Sequence, residues 1–315
     1  MPQAYSNDKN WKKRLFAYMD TPILSVVICT YNRNELLAHC LESLIKQNGV
    51  SQAWSVIVVN NFCASFPSHI HDLIDQLPEG SSIKVKEPGL SIARNEATQN
   101  TQASWMVFLD DDAQVPEDYL SKIFSIIEEG SFDCFGGGIK SWWHYGKPTW
   151  LDDTFGSKPD LRTSRGIIKE GYNWGSNIVI RKRALDDVGG FPEYIGMKGA
   201  HIGYSAENIV QINLRKNEYR IGYDPALYIN HVVAKPKLKM SWHIKAAYAT
   251  GRDGKSVFPD QYGWKGMLKS VKQCISRPVK GVYKWVSARD YGRQRMYLDC
   301  MIPMALFMGK LRSFI

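Results

Sequence analysis

Over the first 130 positions, continuous apolar runs alternate with stretches whose apolar residues recur every three or four positions. Residues 23–31 (ILSVVICTY) form an apolar, β-branched run closed by polar residues, the pattern of a parallel strand buried on both faces. In the following segment, NRNELLAHCLESLIKQNG, the positions Leu37, Cys40, Leu41, Leu44 and Ile45 share one helical face, with Gly49 as a stop. WSVIVVNN (54–61) predicts a second strand and SIKV (82–85) a third. GLSIARNEATQN predicts a helix that Ser91 can cap, and WMVFLD (105–110) a fourth strand. In VPEDYLSKIFSIIEEG, Leu120, Ile123, Phe124 and Ile127 make a helical stripe between Pro116 at the entry and Gly130 at the exit. Residues 136–175 are rich in Gly, Trp and Pro and read as loops lining or covering a site. NIVIRKRALDDVGGF then predicts a strand and a short helix ending at Gly189–Gly190. Residues 205–233 predict a helix and a strand pair ending at His231.

Alternating strands and helices predict a parallel sheet with helices on both faces, where ligands bind beyond the carboxyl ends of the strands. Polar clusters stand at three such ends: Thr30, Asn32 and Arg33; Asn60 and Asn61; and the triplet Asp110, Asp111 and Asp112. Two carboxylates ~4 Å apart repel by roughly 1 kcal/mol in water and ~4 kcal/mol at a protein surface, so a counter-charge is expected, most simply a divalent cation. One aspartate before Pro116 would serve as a helix cap; three exceed that need.

Composition narrows the picture. With 315 residues, 44% of them hydrophobic and 23% charged, the chain has ample length for a globular core. No apolar run reaches the roughly 18 residues of a membrane span, and the N-terminus lacks the features of a secretory signal. The six cysteines are scattered without a CxxC pair, which argues against a disulfide framework or structural zinc and for reduced thiols in the cytoplasm. Charge is uneven: 17 Lys or Arg face 4 Asp or Glu from Lys235 onward, against 23 and 27 in the rest. Such a tail suits a solvated face or an anionic surface. No nucleic-acid-binding motif accompanies it, so nucleic acid is not an expected partner.

Seven segments in order carry a resemblance: SVVICTYNR, VIVVNN, GLSIARNEA, VFLDDDAQV, GSNIVIRKRALDDVGGF, AENIVQINLRKNEYRIGYDP and INHVV. Together they resemble the family-two inverting glycosyltransferases of the GT-A fold, mostly bacterial enzymes of cell-surface glycan assembly. The resemblance implies a Rossmann-like, mostly parallel α/β sheet with helices on both faces, plus a helical basic C-terminal extension. It divides the chain into an N-terminal extension (1–22), a GT-A domain (23–235) and the helical region (236–315). Within the domain, 23–130 would be the nucleotide half and 131–235 the acceptor half.

The implied reaction moves a sugar, with inversion, from a nucleotide-diphosphate donor of UDP or GDP type to a glycan or lipid-linked acceptor, assisted by Mg²⁺ or Mn²⁺. Asp112 and His231 correspond to metal-site positions. Asp110 would serve the ribose or a water on the cation, and Asp111 the ribose or sugar hydroxyls. Thr30, Asn32 and Arg33 match the nucleotide-binding loop, and Arg94 would balance diphosphate or acidic charge. Gly175, Ser176 and Asn177 match a turn near the donor sugar. Glu207 is the expected general base. At least one of Trp150 and Trp174 is expected on the acceptor side, where aromatic rings stack on sugars. Two positions depart from the family: Asn60 replaces the aspartate that binds the base, and Asn208 follows Glu207 where an aspartate is common. They motivate a second reading, a catalytically weakened nucleotide-sugar- or glycan-binding module. The apolar C-terminal segment, broken by Asp299 and Pro303, is expected to lie on the inner face of the plasma membrane or on the body.

Overall fold

A computed structural model describes residues 22–61, 64–157, 164–199, 201–288 and 291–315; the expected N-terminal extension lies almost wholly outside them. Strands β1 (Leu24–Thr30), β2 (Trp54–Asn60), β3 (Gly80–Lys84) and β4 (Trp105–Asp110) are parallel, in the spatial order β3-β2-β1-β4. Beyond β4 the same sheet continues through β9 (Asn177–Arg181), β6 (Cys134–Gly136), β10 (Ile221–Tyr223) and β8 (Gly166–Ile167). Of these, β9 is antiparallel to both its neighbours.

Period-two alternation explains why both faces carry helices. In β1, Leu24, Val26 and Ile28 join one apolar cluster, whereas Val27 and Cys29 join the other. β4 repeats the division, with Trp105, Val107 and Leu109 on the first side and Met106 and Phe108 on the second. The first face is covered by α1 (Asn34–Ile45), α2 (Ser68–Asp75) and α4 (Tyr119–Glu129), through Leu37, Leu41, Ile70, Ile74, Ile123 and Phe124. The second is covered by α3 (Leu90–Gln99), α5 (Lys182–Asp187) and α6 (Ala206–Lys216), through Ala93, Ala97, Leu185 and Leu214. Each fully buried Leu, Ile or Phe among these contributes roughly 1.5–3 kcal/mol.

A second sheet of three strands, β5 (Ala113–Gln114), β11 (Ile229–Val232) and β7 (Ile139–Trp142), begins where the acidic triplet ends. Several expectations are corrected here. The strands around residues 221–232 are not a pair: β10 lies in the large sheet and β11 in the small one. Ser91 does not cap α3; Gly89 holds that position, and the Ser91 hydroxyl donates to the Ile195 carbonyl at 3.4 Å. The helix α2 was not anticipated, because only Ile70 and Ile74 of its eight residues are buried. Gly130, in contrast, closes α4 in the left-handed conformation (φ 63°) that glycine adopts without steric cost.

Three helices follow: α7 (Met240–Asp253), α8 (Trp264–Ser287) and α9 (Arg293–Arg312). Asp299 and Pro303 do not break α9, which is continuous through both. It packs on α7 at a close crossing. A Cβ on Gly309 would lie 2.0 Å from the Tyr248 carbonyl oxygen, and one on Gly251 2.2 Å from that of Leu306. Buried Lys310 donates to the Gln261 carbonyl and the Ser270 hydroxyl, both at 3.1 Å, tying α9 to α8. No described helix is long and apolar enough to cross a membrane.

Candidate functional site

The parallel register brings the polar strand ends level. Thr30 pairs with Asn60 across β1 and β2, and Cys29 with Asp110 across β1 and β4. The chain then turns through Asp111 and Asp112 into β5, whose pairing places Ala113 opposite His231. The Val232 amide donates to the Asp112 carbonyl at 2.9 Å, fixing that approach. Residues distant in sequence thereby meet: His231 Nε2 lies 3.1 Å from Asp112 Oδ1 and 3.4 Å from Asp110 Oδ2. The helix-cap reading of the triplet fails, since α4 starts from Asp118.

Part of the counter-charge comes from the protein itself. Arg33 donates from Nε to Asp111 Oδ2 at 3.0 Å and from Nη1 to Asp112 Oδ2 at 2.9 Å, and its Nη2 pairs with Asp111 Oδ1. Thr30 Oγ1 donates to Asp111 Oδ2 at 2.6 Å. Burial pushes the Asp111 carboxyl up, to about 7, against the pull of Arg33. Asp110 goes the other way: burial is outweighed by the hydrogen bond from His231 and the charge of Arg94, and its carboxyl is held below the usual range. For His231, burial opposes the charged form, but Asp112 and Asp110 raise its pKa overall.

One ligand atom each from Asp110, Asp112 and His231 lies within 4.8 Å of the others. Asp112 Oδ1 is buried and accepts no hydrogen bond of proper geometry. Two carboxylates and an imidazole suit Mg²⁺ or Mn²⁺, so these residues fit the expected divalent cation.

Arg94, only 3% exposed, sits one turn into α3. Its Nη2 donates to the Gly175 carbonyl at 2.8 Å and approaches Asp110 Oδ1 at 3.4 Å. The guanidinium lies over the rings of Phe191 and Phe108, 5.2 and 5.8 Å from their centroids. Gly175 separates Arg94 from Glu207: a Cβ there would meet Arg94 Nη1 at 3.1 Å and Glu207 Cγ at 3.2 Å. Glu207 stands in the first turn of α6, half-buried, and burial raises its carboxyl above the ordinary value. Ser205, just before this helix, holds φ at +83°, a conformation a non-glycine residue adopts only under constraint. Asn32 has the same left-handed habit (φ 53°) in the loop after β1.

The remaining expected residues fall in different places. Asn60 ends β2, and its Nδ2 donates to the Ala64 carbonyl at 2.7 Å. Asn177 is fully buried; its Oδ1 accepts from the Tyr119 hydroxyl at 2.7 Å, and its Nδ2 donates to the Gly138 and Leu227 carbonyls. That gives it a framework role, joining β9 to two loops, in place of the expected contact with a donor sugar. Trp174 is 38% exposed beside Gly175, on the rim of the site. Trp150 packs edge-on against His243 of α7, with ring centroids 5.2 Å apart, in a cluster that includes Phe155. Of the two tryptophans, Trp174 therefore adjoins the Arg94–Glu207 pair.

Two residues went unnoticed in the sequence. The Tyr145 hydroxyl is pushed up by burial, then by Glu35 and Asp112, so it lies in the field of the acidic site. Lys235 Nζ sits 4.5 Å from the Tyr145 ring centroid. The only sequence signal was position: one in the aromatic loop, the other directly after the strand bearing His231.

Comparison with known proteins agrees with this architecture. The family model described as Glycosyl transferase family 2 matches residues 25–189, more than half of the chain. The glycosyltransferase AglE of Haloferax volcanii is 23% identical over 176 residues, 55% of this chain and 57% of that protein. The succinoglycan biosynthesis protein ExoM of Rhizobium meliloti is 24% identical over 241 residues, 74% of each chain. Among solved structures, the mannosyltransferase PcManGT from Pyrobaculum calidifontis, in complex with GDP-Man and Mn²⁺, superposes with a TM-score of 0.59 at 16% identity. That superposition covers 97% of this chain and 93% of the other, which places the fold in the GT-A class. With its order of strands and its matched segment, the chain belongs to glycosyl transferase family 2.

Proposed function

We propose that this protein transfers a sugar, with inversion, from a nucleotide-diphosphate donor of UDP or GDP type to a hydroxyl of a glycan or lipid-linked acceptor. One observation carries the reading: Asp110, Asp112 and His231 converge at the carboxyl edge of the sheet, beside Arg94 and Glu207. Residues 23–130 would form the nucleotide half and 131–235 the acceptor half.

Asp112 and His231, with Asp110, would hold Mg²⁺ or Mn²⁺. When bound, such an ion neutralises charge building on the departing diphosphate. Thr30, Asn32 and Asn60 line the nucleotide side; an amide can pair with uracil or guanine, so Asn60 suits either donor class. Arg94, buried and packed against the Phe108–Phe191 ring pair, orients the charge of Asp110 and adds positive potential beneath the diphosphate. Trp174, exposed beside Gly175, would stack on the acceptor sugar. Glu207 takes the proton of the acceptor hydroxyl as its oxygen attacks the anomeric carbon. The bond from that carbon to the diphosphate oxygen breaks on the opposite side, so one displacement inverts configuration and uses no enzyme nucleophile. A base with a raised pKa is better matched to neutral pH, and base catalysis of this kind contributes roughly 10²–10⁴-fold.

The test is a thermal-shift panel of UDP-, GDP- and dTDP-sugars with and without Mn²⁺. One nucleotide class should stabilise the protein only with metal, and Asp112→Ala should abolish the shift. Stabilisation that survives the substitution would remove Asp112 from the site. Stabilisation by donor without any turnover would instead support a binding module.

A further inference from the structure

The face of α8 that points away from the body is apolar. Trp264, Leu268, Val271, Ile275, Val279 and Val286 recur at helical spacing, and all are exposed: Trp264 by 73%, Ile275 by 66% and Val286 by 77%. A helix in a globular protein normally turns such a stripe toward the core. Here the residues buried against the body are small, Ser270 and Gly281, with Lys310 of α9 bonded to the Ser270 hydroxyl. The arc next to the apolar stripe carries Lys265, Lys269, Lys272, Arg277, Lys280 and Lys284, and α8 contains no acidic residue.

We propose that α8 is a membrane-docking element that lies in the plane of an anionic bilayer. Its apolar stripe enters the acyl boundary while its lysines meet lipid phosphates. Two features decide for this occupant over a second protein copy. The charge is of one sign along the whole helix, so two copies facing each other would repel, whereas a phosphate-rich surface complements it. The stripe runs through 24 residues, roughly 36 Å of helix, longer and narrower than a compact protein contact needs. Six positive charges also keep the helix from spanning the bilayer.

The docking element is wired to the catalytic side. α8 is tied to α9, and α9 crosses α7 at the two glycines. At the end of α7, Asp253 accepts from the Tyr204 amide at 3.0 Å, and Arg252 donates to the Ile202 carbonyl at 2.8 Å. Both contacts hold the segment leading into Glu207. Delivery of a lipid-linked acceptor to Glu207 rests on the proposed transfer reaction; attachment to the bilayer does not.

The experiment is flotation of the full chain with vesicles of phosphatidylcholine, alone or with about one third phosphatidylglycerol. Partitioning should rise about ten-fold with the anionic lipid and fall as salt is added. The triple variant Ile275→Ser, Val279→Ser, Val286→Ser alters exposed positions, so its melting temperature should match the parent, while flotation should drop at least about ten-fold. Lys269→Gln with Lys272→Gln and Lys280→Gln should remove the preference for anionic lipid. Failure of the parent to float, or undiminished flotation of the triple variant, overturns the assignment. So does a parent that fails to float but is a dimer by light scattering, split by the triple variant. None of these readouts depends on the donor: a chain that floats but ignores every nucleotide sugar keeps its docking helix and loses its proposed reaction.

Discussion

In the proposed transfer, Glu207 and Asp112 would carry different parts of the chemistry, and Glu207 stands apart from the acidic triplet, across Gly175 from Arg94. Desolvation raises the Glu207 carboxyl, so the folded chain holds its proton more tightly than the unfolded chain does. That preference stabilises the fold at low pH, and the contribution is lost as pH rises through the raised value. Two outcomes follow for Glu207→Gln. Its melting temperature at neutral pH should equal or exceed the parent's, because a neutral isostere removes the ionised burden. Its transfer rate should fall by about 10²–10⁴-fold with donor binding unchanged. In the parent, transfer should decline as pH is lowered through a midpoint above the ordinary carboxylate range. A rate profile flat across that range, or retained turnover in the variant, would move the base elsewhere.

Among the elements, the α7–α9 crossing sets sterics against propensity. Alanine favours a helix interior over glycine by about 1 kcal/mol, which alone would make Gly309→Ala stabilising. Its methyl group, however, would meet a backbone carbonyl oxygen at 2.0 Å, which cannot turn aside like a flexible side chain. The helices must separate, and overpacking of this kind typically costs 1–3 kcal/mol. A lowered unfolding midpoint is therefore expected; an increase would mean that the crossing is slack. The same scale explains what the sequence revealed. Strands β1, β2 and β4 were legible because each is buried on both faces and ends in polar residues, so run length and terminus could be read locally. The helix α2 was not, with two buried residues in eight. The partner of β11 was hidden for another reason. A four-residue strand can join either sheet, and its pairing with β5 is a long-range choice made by the packed whole.

At the scale of the molecule, the uneven charge acquires a location. Of the 17 basic residues from Lys235 onward, six lie on α8, which carries no acidic residue, while the acidic triplet sits at the sheet edge, held by Arg33, Arg94 and His231. The sequence disclosed the charge and the candidate residues, but not their division of labour. Asn177, for instance, matches a donor-site motif by position yet is enclosed by two carbonyls and the Tyr119 hydroxyl, a fact that depends on helix α4 and two distant loops. The join between the two sheets has one more outcome. Its ligand atoms come from either side of the strand pairing between β5 and β11, so an ion and donor seated there would act as a clasp across a long loop of chain. Hydrogen exchange should then slow in both strands together when Mn²⁺ and donor are added, and His231→Ala should uncouple them. A cofactor recruited for leaving-group chemistry would double as a fastener, and the enzyme would be sturdiest while loaded.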